Sequence, residues 1–147
     1  MTIQEVQILL VEDNPGDVGL VKEAFLEGRL LHKLHVAKDG VEAVEFLRRT
    51  GRFADAPQPD LILLDLNLPK KDGREVLHEI KDDANLREIP VIVLTTSDDE
   101  VDVHRVYRLH ANCYLTKPVE MEEFIRKVRG IEDFWLTLVR LPNSRHS

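Results

Sequence analysis

Two short runs in the 147-residue chain, Leu61-Ile62-Leu63-Leu64 and Val91-Ile92-Val93-Leu94, are apolar without interruption. A strand with one face in water alternates apolar and polar residues. A run with no alternation predicts a strand covered on both faces, as happens inside a parallel sheet flanked by helices. Further short runs are Ile8 to Val11, Leu34 to Ala37 and Cys113 to Leu115. Between the runs, Val18, Val21 and Phe25, then Val41, Val44 and Leu47, then Val76, Leu77 and Ile80, then Val103, Val106 and Tyr107 recur at helical spacing. Strand and helix therefore alternate, which predicts an α/β domain with a doubly wound five-stranded parallel sheet and helices on both faces. Asp17 and Asp39-Gly40 read as helix starts, Gly28 and Gly51 as helix stops, and Gly51 to Pro59 as a loop entering the third strand.

The length suits one compact domain. With 43% hydrophobic and 32% charged residues, the chain has material for a core and too much charge for a membrane protein. No stretch approaches the ~20 apolar residues of a spanning helix, and Met1-Thr2-Ile3-Gln4-Glu5 lacks the basic region of an export signal. The net charge of −7 gives no general attraction to nucleic acid phosphates or anionic lipid. Cys113 is the only cysteine, which excludes an intrachain disulfide and a cysteine zinc cage. The six histidines show no ligand pair at i, i+4 and read as solvated surface, as does the basic pair Lys70-Lys71. A cytoplasmic protein that binds neither membrane nor nucleic acid is expected.

In an open parallel sheet, ligands bind beyond the carboxyl ends of the strands. The residues there are Glu12-Asp13, Asp65, Thr95 and Lys117-Pro118. Each alone has an ordinary reading: an acid after a strand often caps the next helix, threonine often ends a strand, and Lys-Pro is a common loop dipeptide. Together they bring three carboxylates, a hydroxyl and an ammonium to one edge. Crowded carboxylates repel one another, and a divalent cation relieves the repulsion. Mg²⁺ suits such a site, because it takes one or two carboxylates, a carbonyl and several waters in octahedral geometry.

The motifs run in order: Leu10-Val11-Glu12-Asp13, then Leu64-Asp65-Leu66-Asn67-Leu68-Pro69-Lys70-Lys71-Asp72-Gly73, then Pro90 to Thr95, then Tyr114-Leu115-Thr116-Lys117-Pro118. This set resembles the receiver domain of two-component response regulators from Val6 to Lys127. The resemblance implies a flavodoxin-like strand order and a phosphoryl group passed from a sensor histidine kinase to Asp65. It implies that Asp13 and Asp65 ligate Mg²⁺, with Mn²⁺ as an alternative, together with the backbone carbonyl of Asn67, while Glu12 acts through coordinated water. Lys117 would hold one phosphoryl oxygen, Thr95 would bond another once phosphate arrives, and Tyr114 would change rotamer with the switch. The Lys117-Pro118 peptide would be cis. Self-catalysed transfer to Asp65 and hydrolysis from it are the only reactions implied; otherwise the protein is not an enzyme. The chain departs from the family pattern in three places. Glu12 stands for the commoner Asp, Thr96 for a small residue that admits small phosphodonors, and His110-Ala111-Asn112 for a loop glycine, with Asn112 suited to positive φ.

Phosphoryl transfer asks a protein for charge neutralisation more than covalent chemistry, and a metal and a lysine around an aspartate supply it. Haloacid-dehalogenase-type phosphatases also use a nucleophilic Asp, but with a second Asp two residues later as general acid. Asn67 cannot donate that proton, which favours a phosphoaspartate that persists. A flavin or nucleotide-binding flavodoxin-like domain would carry a Gly-rich or Ser/Thr-rich phosphate loop after the first strand. Here that place is taken by Glu12-Asp13-Asn14-Pro15-Gly16-Asp17, whose acids repel phosphate. The other open reading is a non-phosphorylated interaction scaffold with a receiver fold. The joint presence of Asp13, Asp65, Thr95 and Lys117 favours the switch.

The expected organisation is a single receiver domain over 1–147, with a core over 6–127, a C-terminal helix extension over 128–142 and a tail over 143–147. Met121 to Leu141 reads as one apolar-faced helix stopped by Pro142. At 1.5 Å per residue it would be about 30 Å long and would overrun the sheet. An output domain would need at least another ~50 residues, so output through binding a partner is expected. This extension and the Asn14-Pro15-Gly16-Asp17 opening resemble the single-domain regulators paired with cyanobacterial phytochrome kinases. Phe124, Ile125 and Val128 would pack on the sheet, while Ile131, Trp135, Leu138 and Val139 continue the stripe beyond it. Folding back on the first helix is one way to cover that stripe. A symmetric homodimer through Phe134, Trp135 and Leu138, formed with or without phosphate, is the expected one.

Overall fold

The uninterrupted apolar runs form the middle of a parallel sheet. In the computed structural model, which describes residues 5–26, 31–95 and 113–116, the strands are β1 (Val6–Val11), β2 (His32–Ala37), β3 (Leu61–Asp65), β4 (Val91–Thr95) and β5 (Cys113–Thr116). Their order is β2-β1-β3-β4-β5, and every pairing is parallel. The described helices are α1 (Pro15–Leu26), α2 (Gly40–Arg48) and α3 (Gly73–Asp82). Alternate strand residues serve opposite layers, which is why β3 is buried at every position. Leu9, Val11, Ile62, Leu64, Val91 and Val93 share a core with Ala43, Phe46 and Leu47 of α2 and Val76, Leu77 and Ile80 of α3. Ile8, Leu10, Leu61, Leu63, Ile92 and Leu94 share the other with Val21, Ala24 and Phe25 of α1. The chain leaves β1 toward β2 and then returns past β1 to β3, so the strand order reverses between β1 and β3. That reversal opens a crevice at their carboxyl ends.

Several local expectations are corrected. Asp17 does not start α1: the helix begins at Pro15, and the Asn14 Oδ1 accepts from the backbone N–H of Gly16 at 2.8 Å and of Asp17 at 3.1 Å. Proline suits the first helical position because its missing N–H would have had no partner there. Asp39 does cap α2, its Oδ1 accepting from Glu42 N at 2.7 Å. That helix ends before Gly51, at Arg49, whose N–H reaches the Glu45 and Phe46 carbonyls and whose left-handed φ of 55° turns the Thr50 N–H back to the Glu45 carbonyl at 3.0 Å. Gly51 instead opens a short 3₁₀ turn, Gly51–Phe53. Val41 is 40% exposed, because α2 packs through Ala43, Phe46 and Leu47. Gly28, Thr96, the helical spacing expected of Val103, Val106 and Tyr107, Asn112 and the helix expected from Met121 to Leu141 lie outside the described residues.

Two histidines also differ from the solvated reading. The His32 ring lies 5.1 Å from that of Phe25, centroid to centroid, and the His35 ring 5.3 Å from that of Phe46. The His35 Nε2 is 2.7 Å from Gln7 Oε1. Partial burial and then the nearby Lys33 hold the His35 pKa below its ordinary 6.5, against a smaller opposing pull from Glu5. The fold thus prefers the neutral ring. This preference contributes stability above the unfolded pKa and is lost as pH falls from there toward the lowered folded value. Urea unfolding between about pH 7.5 and about pH 5.5 should show stability declining below the ordinary histidine pKa, with a shallower decline in His35→Gln. Parallel profiles for the two proteins would contradict this.

Candidate metal and phosphorylation site

At the β1–β3 crevice the sheet delivers three carboxylates. Val11 pairs with Leu64 in register, so Glu12 and Asp65 are the next residues outward on adjacent strands. The Glu12 N–H donates to the Ala37 carbonyl at 2.9 Å and carries the β1–β2 ladder one residue past β1. Glu12 is 2% exposed and Asp65 5%, whereas Asp13 faces solvent. One oxygen from each of Glu12, Asp13 and Asp65 falls within a group spanning 4.8 Å. Hard carboxylate oxygens, two of them on buried residues and one open to solvent, are the donor set that Mg²⁺ or Mn²⁺ takes while keeping waters of its own, so the residues present fit such an ion.

The backbone around the trio is tied down. The Glu12 Oε2 accepts from Asn14 N at 3.2 Å, and the Asp65 Oδ1 accepts from Asn67 N at 3.0 Å. Gly73 N donates to the Leu66 carbonyl at 2.9 Å and so closes the loop between β3 and α3. A Cβ at Gly73 would lie 2.2 Å from the Asp65 carbonyl oxygen and 2.6 Å from Leu66 Cα, so only glycine lets α3 begin this close to the end of β3. Asp72 caps that helix, accepting from Arg74 N at 3.2 Å.

The basic pair Lys70-Lys71 is not merely solvated. Lys71 Nζ pairs with Glu79 of α3, which also receives Arg48 of α2 at 3.4 Å, and Lys70 Nζ is 3.5 Å from the Asp39 Oδ2. Asn14, Gly40 and Gly73 are the contributors that strand-end reasoning missed. A signal for the glycines was present: Asp39-Gly40 and Asp72-Gly73 are the same dipeptide, each an aspartate cap followed by the first residue of a helix.

The remaining candidates are reached by backbone alone. Thr95 ends β4, the strand next to that of Asp65, opposite Thr116 of β5, and Tyr114 pairs with Val93 from β5, one strand further out. Lys117 and Pro118, with their expected cis peptide, lie outside the described residues, as do Phe134, Trp135 and Leu138.

A doubly wound parallel sheet with an acidic trio at its switch point defines a cation-binding receiver architecture. Residues 8–129 match the response regulator receiver domain, and the chain belongs to that family. Receiver domains bind Mg²⁺, take histidine kinases as partners and act as phosphorylation switches. Response regulator Rcp1 of Synechocystis sp. is 53% identical over 135 residues, covering 92% of each chain. The crystal structure of the phosphorylated cyanobacterial phytochrome response regulator RcpA is similar with a TM-score of 0.86 and 50% identity, over 92% of this chain and 96% of that one. The Mn²⁺-bound form of Rcp1 is similar with a TM-score of 0.83 and 52% identity, over 89% and 94%. Among the described residues, no helix is long and apolar enough to cross a membrane.

Proposed function

We propose that this receiver domain takes a phosphoryl group from a phytochrome-type sensor histidine kinase onto Asp65, in the cytoplasm, and signals through the conformational change that follows. The observation that carries the reading is the convergence of Glu12, Asp13 and Asp65 at the ends of β1 and β3. An Asp65 carboxylate oxygen attacks the phosphorus of the phosphohistidine. The P–N bond breaks, and the imidazole leaves with the bonding pair and takes up a proton. Mg²⁺ would supply the positive charge that offsets the carboxylates and the transferring phosphoryl oxygens. Asp13, Asp65 and the Asn67 carbonyl would hold it directly, and Glu12 through water. Lys117 would contact one phosphoryl oxygen and Thr95 another, with Tyr114 following Thr95. The choice of a phytochrome partner is supported by the likeness to RcpA, itself a phytochrome response regulator.

Incubation with a purified, autophosphorylated phytochrome histidine kinase should label the protein in Mg²⁺, and chelation should abolish the label. Undiminished labelling after chelation would overturn the metal's role. Labelling by other histidine kinases but not by a phytochrome kinase would overturn the partner. The non-phosphorylated scaffold predicts no label from any kinase.

We also infer a homodimer held partly through Phe134, Trp135 and Leu138, on the strength of the apolar stripe that the sequence carries beyond 127. Sedimentation should find a wild-type dimer at micromolar concentration and a weakened one for Phe134→Ala/Trp135→Ala. A wild-type monomer, or an unaffected double variant, would contradict it.

A further inference from the structure

The segment from Leu66 to Asp72 follows the phosphoacceptor and contains Asn67, so its position decides where the Asn67 carbonyl lies. Its inner end is fixed by the bonds from Asn67 N to Asp65 Oδ1 at 3.0 Å and from Gly73 N to the Leu66 carbonyl at 2.9 Å. Its outer part is a tight turn. Lys71 N donates back to the Pro69 carbonyl at 2.7 Å, and Lys70 between them has a φ of 67°, the left-handed region that L-residues enter at a cost. This turn rests on the start of α2, far away in the sequence. A Cβ at Gly40 would lie 2.1 Å from the Lys71 carbonyl oxygen, 2.7 Å from Lys71 Cβ and 2.8 Å from Lys71 C, so the two backbones meet with no space for a side chain. The Gly40 N–H points to the Pro69 carbonyl at 3.5 Å, and the residue before it, Asp39, caps α2 with one oxygen while Lys70 lies 3.5 Å from the other.

We infer that the start of α2 is a seat for this segment, and that Gly40 is a positioning residue which sets the Asn67 carbonyl for cation binding. Pro69 has its φ fixed by its ring, and Lys70 already occupies a strained region, so the turn has little freedom to absorb a push. Displacement at Lys71 passes inward to Asn67. Relief by side-chain rotation is not available at the closest contact, which is with a backbone oxygen. The inference rests on the reading of the Asn67 carbonyl as a cation ligand.

Calorimetric titration with Mg²⁺ tests it, because stoichiometry reports the folded fraction and Kd reports the geometry of the folded molecules. Gly40→Ala should bind one Mg²⁺ per folded chain with a Kd raised about ten-fold, the size of effect seen when a group supporting a metal ligand is lost. Gly19→Ala is the control, since a Cβ there meets nothing within 4 Å; its Kd should be unchanged. A purely structural Gly40 would lower the folded fraction and leave the Kd of the folded molecules within about two-fold of wild type. That result overturns the inference. Failure of the wild type itself to bind Mg²⁺ would instead overturn the metal reading. Amide exchange of the wild type keeps the question open to test if Gly40→Ala does not fold. On adding Mg²⁺, the Gly40 amide should gain protection together with that of Asn67. Protection confined to residues 12, 13 and 65–67 would overturn the seat.

Discussion

Asp65→Asn should take up no phosphoryl group from a phosphorylated histidine kinase, while keeping the fold. Asparagine has the shape of aspartate, and its side-chain oxygen can still accept the Asn67 N–H that the Asp65 Oδ1 accepts at 3.0 Å. The nucleophilic carboxylate at the end of β3 is lost; the two carboxylates that remain at the site among the described residues follow β1, and Glu12 is buried and accepts from Asn14 N. Removing one of three crowded negative charges should leave the metal-free protein as stable as wild type or more so, and should weaken Mg²⁺ binding. Mass spectrometry after phosphotransfer checks the first point and thermal unfolding the second. Undiminished label on Asp65→Asn would refute the assignment of the phosphoacceptor.

Phe25→Ala should have the largest effect on stability. Helix α1 is anchored by few residues: its buried positions are Val21, Ala24 and Phe25, of which Phe25 is the only large ring and is 1% exposed. Truncating a buried phenylalanine costs about 3–5 kcal/mol, because the neighbours close only part of the cavity. For a domain of this size that lowers the melting temperature by roughly 10–16 °C. The neighbouring residue provides the contrast. Leu26 is 77% exposed, and Leu26→Ala should stay within about 0.5 kcal/mol of wild type. Comparable melting temperatures for the two variants would mean that α1 does not dock as described.

What could be read from the sequence follows from where the information is stored. β3 and β4 are legible because both faces of each are covered, so every residue reports the same environment. The start of β2 is not, since His32 and Lys33 are polar and the strand is only partly buried. The acids at the β1 and β3 ends are visible because charge after an apolar run is a local signal. The close approaches at Gly40 and Gly73 are not visible in that way, since each depends on backbone brought near by the tertiary fold. Asp17 reads as a helix start along the sequence, but the asparagine before Pro15 offers its side-chain oxygen to two N–H groups and takes the cap, which leaves Asp17 inside the first turn. Lys70 and Lys71 look solvated along the chain; their carboxylate partners, Asp39 and Glu79, come from α2's cap and from α3.

The position of β2 at one rim of the sheet bears on how the protein behaves in a crowded solution. A rim strand offers main-chain donors and acceptors to any extended peptide that drifts past, and a charged side chain on the strand, lysine above all, deters such pairing. Lys33, exposed on β2, supplies that charge. Behind it lie Leu61–Asp65 and Val91–Thr95, whose dense branched aliphatic content is the composition that stacks into fibrils once a strand is freed from its partners. Detachment of β2 from β1 would uncover an inner strand with no lysine of its own. The ladder from Val6 opposite His32 to Val11 opposite Ala37 therefore guards colloidal stability as well as shape.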